Sequence, residues 1–392
     1  MSSGRSTKVF FFILGAICLV VSLGMMWHYI NDIYVVNRVD NAIDTNFNEK
    51  NNPGFNTEQG DIYITYNNPC YKKELPTRLS DFYIFGAFRP YQVAGHSYDV
   101  CSMKGIQLAL DKGARFHYID VWSSNPVNYL DNQAYPIVRN TTLMPNEGKA
   151  LLFSDVCKTY SKNAWSNTNY PFILYLEIHP SAEKNKFVLR KIAKTLWENF
   201  QGRFAPSRYS FGHGNIGEMP IREGMNKIII MTNIYPNDGF LQELVHGVVN
   251  ETTQNAGTLV KYGRGHKDYG GIQSQTSNMS SVVERNRTHL GIVIPEEKIA
   301  ATNFVQPGTD LFQIPPEDPW KFGFQIVCVN LQKPGPERDA QIKKFKKRSF
   351  VLREDGLRDI PCPKPDVLKQ NVKASYSPRG IDVWDGYFKH NF

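Results

Sequence analysis

Two kinds of apolar pattern alternate along this chain. Compact apolar runs at Asp81–Phe88, Arg115–Trp122, Pro171–Ile178 and Lys227–Ile234 predict strands. Between them apolar residues recur at helical spacing. Ser102–Asp111 is one such segment, closed by Lys112 and Gly113, and Leu151–Tyr160 is another. A third, Lys184–Phe200, places Phe187, Val188, Ile192, Leu196 and Trp197 on one helical face. Strand, helix, strand is the βαβ pattern, which needs a parallel barrel or an open parallel sheet. In Arg115–Trp122 the alternation puts Phe116, Tyr118 and Asp120 on one face and His117 on the other. Lys227–Ile234 is apolar throughout, as a strand buried on both faces requires. Tyr135–Arg139, Leu290–Pro295 and Gly323–Leu331 predict further strands.

The N-terminal pattern is different. Val9–Trp27 runs through nineteen residues without a charge. As a helix it would extend about 28 Å, close to the thickness of a bilayer core. Trp27 and Tyr29 suit the interface beyond it. Arg5 and Lys8 would also serve a cleaved signal peptide, but the run exceeds the usual apolar region and no small-residue cleavage site follows. The expectation is an uncleaved single-pass anchor behind a short tail (residues 1–8), with that tail marginally preferred on the cytosolic side. Residues 28–78 are polar and Asn-rich, and read as a linker.

The chain has 392 residues, of which 41% are hydrophobic, enough for a (β/α)8 barrel as one domain. A net charge of +8 favours anionic surfaces. No nucleic-acid motif accompanies it, so the charge either serves anionic lipid headgroups as a partner or simply keeps the chain soluble. The run Lys343-Lys344-Phe345-Lys346-Lys347-Arg348 is either a lipid contact or a solvated hairpin loop. Six cysteines without a CxxC pair argue against zinc. Sequons at Asn140, Asn250, Asn278 and Asn286 are about as many as an Asn-rich chain yields by chance.

Two longer motifs carry a resemblance. Leu79–Trp122, from LS through ALDKGARFHYIDVW, resembles the opening of the X region of eukaryotic phosphoinositide-specific phospholipases C. Pro319–Asp359 resembles the close of the Y region, of the form W-x-x-G-x-Q-I-V-x-x-N-x-Q-x-P-G-P-E-x-D. Trp320, Gly323, Gln325, Ile326, Val327, Asn330, Gln332, Pro334, Gly335, Pro336, Glu337 and Asp339 all match. The resemblance implies a distorted TIM (β/α)8 barrel in two halves, preceded here by one transmembrane helix. The X-like half would span 79–236 and the Y-like half 289–362. The polar stretch 237–288 would take the place of the X/Y linker, and 363–392 would be a tail.

The resemblance also implies a chemistry: two histidines, and a calcium ion held by an Asn and three carboxylates. Matched position by position, the chain departs from it. Ala87-Phe88-Arg89-Pro90-Tyr91 stands for S-H-N-T-Y, so Phe88 replaces the first histidine and Arg89 the calcium-binding Asn. Asp120 remains from E-x-D, with Tyr118 in place of its Glu. The second histidine falls at Arg139 or Asn140. Glu177 survives from S-L-E-N-H, where His179 matches a histidine without a chemical role. The phosphate-gripping lysines fall at Met231 and Asn233, and the inositol-cradling Arg and Tyr at Ile292 and Ile294. Gly95-His96-Ser97-Tyr98 imitates the first motif, but only with an eight-residue shift of the alignment.

Two carboxylates without their cation are costly to bury together. Arg89 and Arg139 are therefore expected to replace the metal, pairing with Asp120 and Glu177. No cofactor is expected on this reading. The chain would be a degenerate, membrane-placed phospholipase C-like protein acting by binding or as a structural component. The alternative is an active phosphoric diester hydrolase on phosphoinositides that uses these residues, with His96 or His179, and calcium if it is retained.

Overall fold

The computed structural model describes residues 13–27, 30, 41, 63–65, 74–92, 101–139, 150–235, 238–249, 258–262, 279–297, 311–312, 315–360, 382–384 and 389–391. Eight strands pair in parallel, in chain order: β1 (Phe82–Phe88), β2 (Phe116–Ser123), β3 (Phe172–Ile178), β4 (Ile228–Thr232), β5 (Gly247–Val249), β6 (Thr258–Tyr262), β7 (Gly291–Val293) and β8 (Ile326–Val329). Each pairs with the next. β8 pairs with β1 through Ile326 opposite Ile84 and Val329 opposite Ala87, so the sheet curls into a TIM-barrel-like ring. A ninth strand, β9 (Phe350–Leu352), lies antiparallel outside β1.

The alternation read in the sequence becomes two layers. Phe82, Ile84 and Phe88 of β1, Phe116 and Tyr118 of β2, Ile173 and Tyr175 of β3 and Met231 of β4 pack inside the ring. Ile119, Val121, Leu174, Leu176 and Ile230 face outward onto helices. These include α1 (Met103–Asp111), α2 (Phe153–Asn163) and α3 (Lys186–Phe200). Ser102 caps α1, its Oγ accepting from Lys104 N at 3.2 Å. Asn185 caps α3, its Oδ1 accepting from Phe187 N and Val188 N. Asn185 also divides the expected Lys184–Phe200 helix from a four-residue turn of helix, Pro180–Glu183. Leu151 and Leu152 likewise leave their expected helix, to pair with Val138 and Ile137.

The Y-like motif proves to be scaffold. Gln325 donates to Ser80 O and Asn286 O and accepts from Gly291 N at 2.7 Å. Gln332, steadied by Asn330, donates to Pro90 O at 2.9 Å. Gly323 has φ of +75° and its carbonyl accepts from Arg353 at 2.7 Å. Asn286, read as a sequon, is buried with its amide on Phe322 O, which shields it from modification in the folded chain. Asn140, Asn250 and Asn278 lie outside the described residues.

One expectation changes here. Residues 237–288, expected as a linker, contain the helix Gly239–Leu244, strands β5 and β6 and the helix Met279–Thr288. Their apolar residues are few because these strands are short. The apolar N-terminal stretch is helical over 13–27 with exposed side chains, about 22 Å long at 1.5 Å per residue. Among the described residues no helix is long and apolar enough to cross a membrane.

Candidate functional site

In a parallel ring the strand ends converge on one mouth, where functional side chains gather. Arg89 follows β1, Asp120 lies near the end of β2, and Glu177 and His179 end β3. Asp120 and Glu177 sit opposite each other in the pairing of β2 with β3.

Asp120 is fully buried and is the hub. Arg89 donates to it twice, Nε to Oδ2 at 2.6 Å and Nη2 to Oδ1 at 3.0 Å. Tyr91 OH donates to Oδ2 at 2.7 Å, and His179 Nε2 lies 2.7 Å from Oδ1. Burial alone would push the Asp120 carboxyl up. Arg89, followed by His179, outweighs burial and holds it at about 2. Tyr91 is driven well above the usual phenol range by burial and by Asp120.

His179 stacks on Trp122 with ring centroids 3.5 Å apart and an 8° tilt. Arg139 lies over the Trp122 ring at 5.2 Å, and its carbonyl accepts from Trp122 Nε1 and lies 3.2 Å from Tyr91 OH. Glu177 accepts from Tyr175 OH at 2.9 Å and from Asn233 Nδ2 at 3.1 Å. Below the mouth, Phe88, Tyr118 and Tyr175 form an aromatic column, with centroids 4.8 and 4.9 Å apart.

The structure thus brings together Asp120, Arg89 and His179, with Arg139 beside them on Trp122, and places Glu177 on the neighbouring strand. The expected pairing of arginine with carboxylate is present between Arg89 and Asp120. His96 and Asn140 lie outside the described residues. His117 faces away from the mouth, as its strand parity requires. It is enclosed by Tyr160 and Phe172, with Tyr160 OH 3.0 Å from Nδ1.

Sequence reasoning missed Tyr91, Trp122 and Asn233 as members of the site. Trp122 carried a signal, since it lies two residues beyond Asp120 and shares its strand face. Tyr91 carried one in its match to the tyrosine of S-H-N-T-Y. Asn233 carried one in its match to a phosphate-gripping lysine, but its contact with Glu177 depends on β3 and β4 being neighbours.

Residues 75–232 match the family described as phosphatidylinositol-specific phospholipase C, X domain. The mouse protein named inactive phospholipase C-like protein 1 is 24% identical over 73% of this chain and 28% of its own length. The pig 1-phosphatidylinositol 4,5-bisphosphate phosphodiesterase zeta-1 is 24% identical over 78% of this chain and 55% of its own. Human phosphodiesterase delta-4 is 29% identical over 36% of this chain and 17% of its own. The chain therefore spans only part of the relatives it matches. Among solved structures, S. officinalis PLC21 shares the fold with a TM-score of 0.54 and 17% identity, over 72% of this chain and 38% of that one. The matched X region, the β1–β4 ring strands it covers and the altered mouth together make residues 75–232 a divergent phosphatidylinositol-specific phospholipase C X domain, with most active-site positions replaced.

Proposed function

We propose that the chain is a non-catalytic phospholipase C-like protein, placed at a membrane by its N-terminal apolar segment and acting by binding anionic lipid headgroups or as a structural component. One observation carries the loss of catalysis. At the mouth, Phe88 and Arg89 occupy the positions of a proton-transfer group and a metal ligand, and Arg89 holds both oxygens of Asp120. General acid–base catalysis needs a group that can exchange a proton with substrate, and its loss costs on the order of 10²–10⁴-fold.

The donor set does not suit calcium. A dication at Asp120 would share its carboxylate with a guanidinium within hydrogen-bond distance, and the two cations repel. No step is assigned to a metal. The mouse relative named as inactive supports the same reading.

One observation favours the alternative, an active phosphoric diester hydrolase with altered chemistry. His179 contacts Asp120 at 2.7 Å with 21% of its side chain exposed, so an imidazole oriented by a carboxylate does face the mouth. The deciding experiment incubates the full chain with phosphatidylinositol and its bisphosphate in mixed micelles, with calcium and with chelator. No inositol phosphate release above a heat-treated control is expected. Release that is abolished by His179→Ala would establish the alternative.

A further inference from the structure

The closed end of the barrel carries a feature that the mouth does not explain. The helix Pro336–Lys344 ends in a rigid turn rather than a loose one. Lys344 Nζ lies 3.8 Å from the Tyr83 ring centroid and 4.5 Å from that of Trp320. Phe345 stacks on Phe85 at 5.1 Å with a 7° tilt. Phe350 then starts β9 against Ile84. These anchors leave Lys343, Lys346 and Lys347 exposed. Neighbouring acids are engaged elsewhere: Glu354 accepts from Tyr83 OH, Asp355 pairs with Arg358, and Asp339 lies 3.5 Å from Arg338.

The position of this turn matters more than its charge. Tyr83 is the second residue of β1, so the turn is on the half of the barrel where strands begin, away from Arg89, Asp120 and His179. The N-terminal part of the chain joins the barrel at that same end. Leu79 N donates to Met219 O, and Arg78 pairs with Asp359.

We propose that the turn at 343–347 is a docking surface for anionic lipid, so that the closed end of the barrel, not its mouth, faces the membrane. This rests on the reading that the N-terminal apolar segment places the chain at a bilayer. A mouth turned away from lipid fits a barrel that no longer processes lipid.

The full chain is mixed with vesicles of phosphatidylcholine, with or without phosphatidylserine, and lysine acetylation is followed by mass spectrometry. Phosphatidylserine is expected to slow labelling of Lys346 and Lys347 several-fold and to leave Lys184 and Lys186, which follow β3 at the mouth, unchanged. Added salt should reverse the protection. Replacing Lys343, Lys346 and Lys347 by Gln should weaken the phosphatidylserine-dependent part of vesicle binding by on the order of 100-fold, at roughly fivefold per cation. Protection at Lys184 and Lys186 instead, or equal labelling with both vesicles, would overturn the proposal, as would equal protection by duplex DNA. A chain that floats free of neutral vesicles but shows the phosphatidylserine protection would remove the anchor and keep the docking surface.

Discussion

Arg89 reaches Asp120 from a backbone conformation that arginine seldom adopts, φ of +43°, and still donates to both of its oxygens. A residue held in the left-handed region costs about 1 kcal/mol or more, so surrounding contacts must offset it. The buried ion pair, with Tyr91 and His179, is where that compensation lies. Asp120→Asn leaves a buried guanidinium without its counter-charge and should lower unfolding free energy by roughly 3–5 kcal/mol. Urea denaturation measures this directly. An unchanged midpoint would mean that Arg89 finds another anion.

Much of the ring is legible in the sequence. β1 to β4 follow from compact apolar runs, and the lumen face of β2 follows from strict alternation at Phe116, Tyr118 and Asp120. β5 and β6 were not legible, because Gly247–Val249 and Thr258–Tyr262 are too short to show a period and stand in polar sequence. The site was half legible for a similar reason. A match at one position can show that Phe88 or Arg89 has replaced a functional group. It cannot show that Asn233 reaches back to Glu177, since that contact exists only once β4 lies beside β3. The matching Y-like residues proved to bear on packing and backbone hydrogen bonds rather than on chemistry.

The contact between α1 and the turn after β1 gives a second prediction. A Cβ on Gly105 would meet Pro90 O at 2.3 Å and Gln332 Nε2 at 2.7 Å, and the backbone carbonyl cannot move aside. Gly105→Ala gains helix propensity of about 1 kcal/mol yet should destabilise by about 1–3 kcal/mol net, because α1 is pushed off the ring. Thermal unfolding of the variant checks the sign. A rise in midpoint would show that α1 can shift freely.

Asn185 offers a third. It is fully buried, caps α3 through Oδ1, and its amide donates to Asp131 O at 3.1 Å. Asn185→Ala removes the cap and leaves a carbonyl and two helix N–H groups unsatisfied. A loss of about 2 kcal/mol is expected. Asn185→Asp should retain the cap while losing the bond to Asp131 O, and so should be the milder change at low ionic strength.

Acid should unfold this protein earlier than its carboxylates alone would dictate. His117 and His246 are buried, and burial lowers them to about 3 and about 4. Arg115 adds to the effect at His117. Both are neutral in the folded chain, whereas the unfolded chain binds protons at these residues near pH 6.5. Below that pH the unfolded state binds more protons than the folded one, so stability falls as pH falls. The slope is about 1.4 kcal/mol per pH unit for each histidine, from about pH 6 until the folded value is reached. Asp120 contributes in a lower window: its folded value of about 2 is below the usual 3.8, so its stabilisation is lost only between about pH 4 and pH 2. His117→Phe removes one of these histidine contributions, to which His289, also lowered by burial, adds a further one, and should flatten the pH 6 to 4 limb by less than half. Equilibrium urea titrations at half-unit pH steps measure it. An unchanged limb would show that His117 protonates in place, with Tyr160 turning to accept the new proton.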